Sequence, residues 1–285
     1  MNNLSDITTI KSILSHHGFN FSKSLGQNFL IDPSVCPRMA QECGVDENIG
    51  VIEIGPGVGV LTCELAKRAN KVVAIELDKK LLPVLRETLA EFDNVKIIND
   101  DILKINLEEL IQTEFAGMDV LVCANLPYYI TSPVIMRLLE EKLPVKSLTV
   151  MVQKEAAVRL CALPGKRECG AVSVAVRYYA EPEILFEVQR TSFLPAPHVD
   201  SAVIQLTIRP NEDVAVQDEK KFFSLVKAAF GQRRKTVLNS ISAGLALSKQ
   251  EVADALERAQ IAPNTRAEQL SMEQFSHLAN SLFDN

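Results

Sequence analysis

Residues 51–59, with the sequence VIEIGPGVG, place an apolar β-like run directly before a glycine-rich turn. Residues 61–69, which follow, have the apolar spacing of a helix. Glycines at a strand-to-helix turn let the backbone approach a ligand closely, and the first turn of the helix presents unpaired N–H groups. The segment therefore indicates a turn that binds a nucleotide-like ligand, with an ordinary tight turn as the alternative.

The alternation of β-like and helix-like runs continues along the chain to about residue 208. We predict seven strands, at residues 51–54, 72–75, 95–98, 120–123, 147–152, 172–178 and 202–208. Helical spacing is found at residues 61–69, 79–91, 107–113, 132–141 and 154–160. Short β-branched runs that alternate with amphipathic stretches are typical of a parallel sheet with crossover helices. The pattern predicts an α/β fold whose sheet is covered on both faces.

The chain changes character after Arg209-Pro210-Asn211-Glu212-Asp213, a polar stretch with a proline. Only helix-like segments follow, at residues 222–230, 236–247, 249–259 and 272–283. We therefore predict two domains, residues 1–209 and 210–285, the second small and all-helical. Ahead of the first strand we predict a helix at residues 7–16 and, at residues 28–31, a loop that folds back on the sheet.

The net charge of the chain argues against an indiscriminate nucleic-acid binder. Lysines and arginines number 30 against 36 aspartates and glutamates, which gives a formal net charge of −6. Because nonspecific affinity for nucleic acid comes mainly from cations that neutralise phosphates, any RNA contact must be local. The densest basic run is Arg233-Arg234-Lys235, with Lys227 upstream. A solvated helix face is the alternative interpretation of that run.

Composition and cysteine usage indicate a folded protein of the cytoplasm. Apolar residues make up 47% of the chain and charged residues 23%, which are ordinary values for a globular protein. We see no apolar run of about 18 residues and no basic segment before an apolar one, so we expect neither secretion nor membrane insertion. The six cysteines form no CxxC pair, and with the four histidines they offer no zinc-like spacing. We expect reduced cysteines and no metal.

Acidic residues follow the second and third predicted strands. Glu76 lies 76 − 55 = 21 residues after Gly55, a position from which a carboxylate can accept hydrogen bonds from both hydroxyls of a ribose. Both NAD and S-adenosylmethionine satisfy this arrangement, and a solvated strand end is the alternative. Asp101 follows the third predicted strand, and its carboxylate could accept a hydrogen bond from an adenine amine. The alternative is that Asp101 only caps the next helix.

The turn after the fourth predicted strand, Asn125-Leu126-Pro127-Tyr128, suggests a site that activates the exocyclic amine of an adenine for reaction. An exocyclic adenine amine is a poor nucleophile because its lone pair is delocalised into the ring. If the Asn125 side-chain oxygen and a backbone carbonyl each accept one N–H, the lone pair is drawn back onto the nitrogen. Pro127 stiffens the turn. An isolated Asn-Leu-Pro-Tyr could also be an ordinary turn.

Two aromatic residues could form the walls of a base pocket. A base in structured RNA must be flipped out of its stack before its amine can react. Tyr128 offers a ring for stacking, worth roughly 1 to 3 kcal/mol per base. Phe193, at the start of the proline-spaced loop 193–200, is placed to supply the second wall, with a role in the core as the alternative.

Five strings together resemble the bacterial small-subunit branch of the ribosomal RNA adenine dimethyltransferase family. They are residues 23–30 (KSLGQNFL), 53–57 (EIGPG), 125–129 (NLPYY), 193–199 (FLPAPHV) and 230–236 (FGQRRKT). Each string is weak alone, whereas their joint order is highly specific and extends over nearly the whole chain. The resemblance implies a Rossmann-like, seven-stranded S-adenosylmethionine-dependent methyltransferase fold with a small C-terminal all-helical domain that recognises RNA.

The resemblance also implies site residues and a substrate. Contacts with S-adenosylmethionine are implied for Asn28, Leu30, Gly55, Glu76, Asp101 and Asn125. Asn125 would also face the adenine, in a reaction site shared with Leu126, Tyr128 and Phe193. Asp100 is adjacent to Asp101, and we choose Asp101 because it directly precedes the Ile-Leu-Lys stretch, as the family aspartate does. The implied substrate is a pair of adjacent adenosines in a hairpin near the 3′ end of 16S rRNA, within the small subunit or its precursor, and we expect a monomer.

Three other functions fit parts of the sequence. A large-subunit (23S) rRNA adenine methyltransferase of the antibiotic-resistance type has the same chemistry, but residues 230–236 and the leucine at position 126 favour the small-subunit enzymes. A nonenzymatic ribosome assembly factor would not need complete motifs. An NAD-dependent oxidoreductase would share the glycine turn and Glu76, yet it would not explain residues 125–128 or Phe193.

Overall fold

The computed structural model describes residues 4, 6–19, 28–209 and 216–283. The chain forms two compact units, which we call unit 1 (Met1–Ala157 with Glu183–Ile208) and unit 2 (Val158–Pro182 with Arg209–Asn285). The predicted division into residues 1–209 and 210–285 therefore needs correction, because residues 158–182 group with the C-terminal helices. Residues 210–213 of the predicted boundary lie outside the described part of the chain.

The helices and strands alternate through most of unit 1. Up to the end of the fifth strand they are α1 (Ile7–His16), β1 (Phe29–Leu30), α2 (Val35–Glu42), β2 (Ile49–Ile54), α3 (Val60–Ala66), β3 (Lys71–Glu76), α4 (Leu82–Thr88), β4 (Val95–Asn99), α5 (Leu107–Glu114) and β5 (Asp119–Asn125). The chain continues with α6 (Thr131–Glu140), β6 (Ser147–Gln153), α7 (Lys154–Leu160), α8 (Ala171–Tyr179), β7 (Ala180–Val188), β8 (Phe193–Leu194) and β9 (Ser201–Ile208), of which α8 belongs to unit 2. The C-terminal helices are α9 (Glu219–Phe230), α10 (Val237–Leu245), α11 (Lys249–Arg258) and α12 (Met272–Phe283).

The main sheet has seven strands in the order β4-β3-β2-β5-β6-β9-β7. The pairs from β4 to β6 are parallel, whereas β9 runs antiparallel to β6. The predicted α/β class and the count of seven strands are confirmed, and the sheet is parallel only in part. Because β2 and β5 are neighbours, the strand order reverses at that point, where such sheets bind ligands beyond the carboxyl ends of their strands.

One predicted strand was wrong. Residues 172–178 lie in helix α8, and the missing strand is β7, Ala180–Val188. Valines at alternate positions imitate a strand, but the intervening Ser173 and Ala175 are buried as well, so this helix is enclosed on most sides. Strand β7 contains Pro182, which argues against a strand inside a sheet. It is tolerated because β7 is the last strand of the order.

Unit 2 is built around an apolar core between helices. Its fully buried members include Phe222, Leu225, Val237, Ile241, Val252, Leu256, Phe275 and Leu278. Helix α11 begins at a capping box, in which Ser248 Oγ accepts from Glu251 N at 3.2 Å and Glu251 Oε2 accepts from Ser248 N at 2.8 Å. Over the described residues 216–283, the predicted all-helical C-terminal region is confirmed.

Buried cysteines act as small apolar side chains in unit 1. Cys36, Cys43 and Cys123 belong to one core cluster with Met39, Leu65 and Val203, and all six cysteines of the chain are free thiols. The prediction of reduced cysteines agrees with this packing. Among the described residues there is no helix with the length and apolarity needed to span a bilayer.

Candidate functional site

A cavity of about 280 Å³ lies beyond the carboxyl ends of β2, β3, β4 and β5, within unit 1. All nine predicted site residues line it, namely Asn28, Leu30, Gly55, Glu76, Asp101, Asn125, Leu126, Tyr128 and Phe193. Parallel strands bring their carboxyl ends to one edge, which explains why residues far apart in sequence meet here. The role of each residue toward a ligand stays a prediction.

The glycine turn opens one side of the cavity. Gly55 and Gly57 have φ values of +69° and +62°, a left-handed conformation that side chains disfavour. A Cβ at Gly57 would lie 3.1 Å from the Phe29 ring, whereas one at Gly55 would meet no atom within 4 Å. The chain therefore leaves open space beside Gly55, which lines the cavity, and this cradle suits a ligand that approaches the backbone.

Glu76 is the last residue of β3 and is only 6% exposed. Its Oε1 accepts from Asp78 N at 2.7 Å, and its Oε2 accepts from Gly57 N at 3.4 Å. Burial raises the pKa of this carboxyl to about 7, although the two backbone bonds oppose the rise. The side chain is thus tied to the glycine turn, and a ligand that donates hydrogen bonds would favour its charged form.

Glu53 is a glutamate of the glycine-turn motif to which that motif assigns no role, and it lies in the cavity lining. It is 1% exposed, and among the described residues its Oε2 has no hydrogen-bond partner. Burial raises its pKa to about 8; the neighbouring Thr62 side chain opposes this rise, and the charge of Glu76 adds to it. The sequence carried a signal, because a glutamate interrupts an otherwise apolar strand. A buried acceptor without a partner suits a cationic or hydrogen-bond-donating ligand.

Asp100 and Asp101 both line the cavity. Asp101 Oδ1 accepts from Leu103 N at 3.0 Å, and this bond is the main cause of the lowered pKa of Asp101. Asp100 Oδ1 accepts from Asp101 N at 2.7 Å. Local capping, the alternative interpretation of Asp101, is therefore present alongside its position in the cavity. The choice of Asp101 over Asp100 stays a prediction.

The turn after β5 is held rigidly. Asn125 ends the strand opposite Met151, and Leu126, which is buried, donates its N–H to Met151 O at 3.4 Å. The next residues form a short 3₁₀ helix, closed by a bond from Ile130 N to Pro127 O at 3.1 Å. Leu126 therefore acts as an anchor that fixes the position of Asn125 at the cavity.

The two predicted aromatic walls are both anchored. The Tyr128 hydroxyl lies 2.7 Å from Ser201 Oγ, and burial raises the pKa of this phenol. Phe193 pairs with Leu30 in the small β1–β8 sheet and is buried in the core. The core role and the cavity role of Phe193 thus coexist. The predicted loop at residues 28–31 contains strand β1, which pairs with β8 in a separate two-stranded sheet and not with a strand of the main sheet.

Other residues of the cavity wall escaped the sequence reasoning. Leu77 and Tyr129 are exposed to 50% and 56%, although both are large and apolar or aromatic, and Ile102 and Leu103 complete this part of the lining. Their exposure follows from the shape of the cavity, which no local pattern encodes. Tyr129 has a sequence signal as the second tyrosine of residues 125–129, and Ile102 and Leu103 have one as the start of the Ile-Leu-Lys stretch after Asp101.

Two predictions concern residues away from the cavity. Arg233, Arg234 and Lys235 are exposed in unit 2, and Arg233 Nη2 donates to Arg167 O at 2.9 Å. Of the described residues, only His16, His17 and Glu87 form a group able to hold a metal, and none of the three lines the cavity. The absence of a metal stays a prediction. Residues 23–27 of the first matching string lie outside the described residues.

The chain is similar to known proteins over nearly its whole length. It is 50% identical over 276 residues to ribosomal RNA small subunit methyltransferase A of Geobacillus thermodenitrificans, covering 95% of this chain and 94% of that protein. It is 49% identical over 283 residues to the protein of the same name from Alkaliphilus oremlandii, covering 99% of each.

Two crystal structures share its fold. A dimethyladenosine transferase from Plasmodium falciparum matches with a TM-score of 0.73 and 24% identity, covering 88% of this chain and 95% of that one. The 23S rRNA methyltransferase ErmE matches with a TM-score of 0.69 and 27% identity, covering 90% and 100%. Residues 18–284 match the family model described as ribosomal RNA adenine dimethylase. As the five sequence strings predicted, the chain belongs to the ribosomal RNA adenine dimethylase family.

Proposed function

We propose that this protein dimethylates the N6 amines of two adjacent adenosines in a hairpin near the 3′ end of 16S rRNA, with S-adenosylmethionine as the methyl donor. The substrate is the small ribosomal subunit or its precursor, and the reaction serves small-subunit biogenesis in the cytoplasm. One observation carries the proposal. In a chain of the rRNA adenine dimethylase family, the turn with Asn125 and Tyr128 lines the same cavity as the glycine turn and Glu76.

The cavity residues fit S-adenosylmethionine. This cofactor supplies an electrophilic methyl group on a sulfonium, attached to a ribose, an adenine and an amino acid. We assign its binding to Asn28, Leu30, Gly55, Glu76, Asp101 and Asn125. The fit is supported by the open cradle beside Gly55 and by the buried acceptors Glu76 and Glu53, because a cationic ligand with ribose hydroxyls offers the charge and donors that such acceptors need.

Asn125 activates the target amine in this mechanism. Its side-chain oxygen accepts one N–H of the adenine amine, and a backbone carbonyl of the turn accepts the other. The lone pair is then localised on the nitrogen, so the amine can attack the electrophilic methyl group of the donor without a strong base. The anchored peptide at Leu126 and the rigid turn at Pro127 fix the direction of these acceptors before the base enters.

Tyr128 and Phe193 hold the flipped adenine between them. The bond of the Tyr128 hydroxyl to Ser201 and the strand pairing of Phe193 with Leu30 restrict both rings. A restricted ring loses little entropy when a base stacks on it. The walls thereby favour a planar base, while the acceptors at Asn125 favour one that carries an exocyclic amine.

We assign RNA recognition to unit 2, with Arg233, Arg234 and Lys235 on RNA phosphates. These side chains are exposed, which a phosphate contact requires. A local basic run is consistent with the overall acidic charge, because it gives affinity at one place rather than everywhere.

Methyl transfer from labelled S-adenosylmethionine to small subunits that lack the modification tests the proposal. We expect mass spectrometry of the digested RNA to find two adjacent dimethyladenosines in the 3′ hairpin of 16S rRNA. The likeness to ErmE makes 23S rRNA the second candidate substrate, so 23S rRNA is included as a separate arm. Label confined to 23S rRNA would favour that function, and no label in either RNA would contradict both.

A further inference from the structure

The turn between β4 and α5 forms part of the cavity wall, which residues 100–103 line. Two backbone bonds close it, from Lys104 N and Ile105 N to Asp101 O at 2.8 and 3.0 Å. A third hydrogen bond runs from the backbone N–H of Leu103 to the side-chain Oδ1 of Asp101 at 3.0 Å. All three lie within the turn, so they shape it without fixing it against its surroundings.

Arg137, on helix α6, connects this turn to the rest of unit 1. Its guanidinium donates to the backbone oxygen of Ile102 and, at 2.7 Å, to that of Ile105. Its Nε donates to Glu141 Oε1 at 2.5 Å. The Arg137 side chain is 18% exposed. A charged donor that is largely removed from water forms strong bonds to carbonyl oxygens, so Arg137 clamps the turn from outside.

Helix α6 begins shortly after the turn at residues 125–128, which carries Asn125. Tyr128–Ile130 form the short 3₁₀ helix, and Thr131 is the first residue of α6. Tyr128 and Ile130 line the same cavity as Asp101. Arg137 therefore connects helix α6, which follows the turn at residues 125–128, to the turn between β4 and α5. The latter turn carries Asp101, which is predicted to accept a hydrogen bond from the adenine of the cofactor.

We propose that Arg137 is a positioning residue that fixes the distance between these two cavity walls and thereby sets the affinity for the cofactor. The inference rests on the proposed function, because it takes S-adenosylmethionine as the ligand. Arg137 is not among the residues that line the cavity, so it acts through the backbone of Ile102 and Ile105. Lysine cannot reproduce the planar fork that reaches two carbonyls at once.

The test compares Arg137→Gln and Arg137→Lys with the wild-type protein. We expect Arg137→Gln to raise the Kd for S-adenosylmethionine about tenfold in calorimetry, with Arg137→Lys in between. At saturating cofactor and RNA, kcat should change less than about threefold. In the ligand-free protein, the amides of Lys104 and Ile105 should exchange hydrogen faster, because the turn loses its external clamp.

Two further variants control for the ion pair. Arg38→Gln breaks the pair of Arg38 with Glu42, which has the same helical spacing at 2.9 Å but lies on α2. Glu141→Gln removes the ion pair of Arg137 and keeps its bonds to the carbonyls. Both variants should retain the wild-type Kd and the wild-type exchange at Lys104 and Ile105.

Unchanged exchange at Lys104 and Ile105 together with an unchanged Kd in Arg137→Gln would overturn the proposal. Equal acceleration of exchange throughout unit 1 would also overturn it, since it would make Arg137 a general stabiliser. A wild-type protein that does not bind S-adenosylmethionine would contradict the proposed function instead. The exchange measurement would still test the clamp, because it needs no cofactor.

Discussion

At the scale of single residues, the cavity holds two buried carboxyl groups on neighbouring strands. Glu53 on β2 and Glu76 on β3 have pKa values raised by burial to about 8 and about 7. Removal from water disfavours the charged form of both carboxyls, and the charge of Glu76 raises the pKa of Glu53 further. A ligand that brings positive charge or hydroxyl donors reverses this preference. Ligand binding and proton release should therefore be coupled in this cavity.

The affinity for S-adenosylmethionine should depend on pH through Glu76. If the ionised carboxylate accepts from the ribose, binding below pH 7 must release a proton, so the Kd should rise as pH falls from 8 to 6. The rise is at most about tenfold per pH unit below the pKa. Glu76→Gln should bind more weakly and should lose this part of the pH dependence. Calorimetry at pH 6, 7 and 8 measures the affinity and its pH dependence in the wild type and in Glu76→Gln. The part of the pH dependence that comes from titration of the ligand itself remains in the variant. An identical pH slope in Glu76→Gln would remove Glu76 from the coupling.

Glu53→Gln should stabilise the ligand-free protein at high pH. The folded pKa of Glu53 lies above its unfolded value of 4.5, so folding takes up a proton between these values and stability falls as pH rises. A neutral glutamine avoids this loss. One kcal/mol corresponds to about 2 to 4 °C in a domain of this size. We expect the variant to melt a few degrees above the wild type at pH 8.5 and close to it at pH 5. Lower stability at both pH values would contradict the assignment.

Asn125→Ala should slow methyl transfer with little effect on RNA affinity. Loss of one of the two acceptors that localise the lone pair should reduce the single-turnover rate by a factor on the order of 100 or more. Saturating S-adenosylmethionine compensates for any weaker cofactor binding. Asn70→Ala is a suitable control, because Asn70 donates to Glu47 O and does not line the cavity. A rate near that of the wild type in Asn125→Ala would refute the mechanism.

At the scale of elements, the sequence was informative where burial follows a regular period. Helices α7 and α12 have the predicted bounds, Lys154–Leu160 and Met272–Phe283. Prediction failed at α8, where valines at alternate positions imitate a strand in a helix that is buried on most sides, and at β7, where Pro182 conceals an edge strand. The sequence shows Glu53 as a charged residue within an apolar strand, but the lack of a hydrogen-bond partner for its Oε2 among the described residues depends on the packing around it. The clamp by Arg137 depends on two carbonyls more than 30 residues away, which no local pattern encodes.

The glycine turn should be sensitive to an added methyl group in a specific way. Gly57→Ala must adopt a φ near +62° and place its Cβ against Phe29, whereas Gly117→Ala has a φ of +80° with no atom within 4 Å. Backbone strain costs each variant roughly 1 to 2 kcal/mol. Gly57→Ala should lose more stability and should also bind S-adenosylmethionine more weakly, because relief of the contact with Phe29 displaces the backbone N–H of residue 57 that donates to Glu76. Melting temperatures and calorimetry compare the two. Equal cofactor affinity in both variants would separate the turn from the binding site.

At the scale of the whole molecule, charge is distributed unevenly. By sequence, unit 2 has 14 lysines and arginines against 12 aspartates and glutamates, a net charge of +2, which leaves −8 for unit 1. The acidic character of the chain therefore belongs to the unit with the cavity. An RNA substrate should meet its favourable electrostatic contacts in unit 2, where the basic run at residues 233–235 lies.

Neutralising residues 233–235 with glutamine should flatten the salt dependence of RNA binding. Each cation that neutralises a phosphate contributes about one unit to the slope of log affinity against log salt, so loss of three should reduce the slope by about 2 to 3. The matched control replaces the exposed Lys11, Lys220 and Lys249, which changes the net charge equally. Filter binding of 16S rRNA from 50 to 300 mM salt measures both slopes, and affinity for S-adenosylmethionine should be unchanged in both. If the two triple variants lose the same slope, the effect comes from net charge, and residues 233–235 form a solvated turn between α9 and α10 rather than an RNA contact.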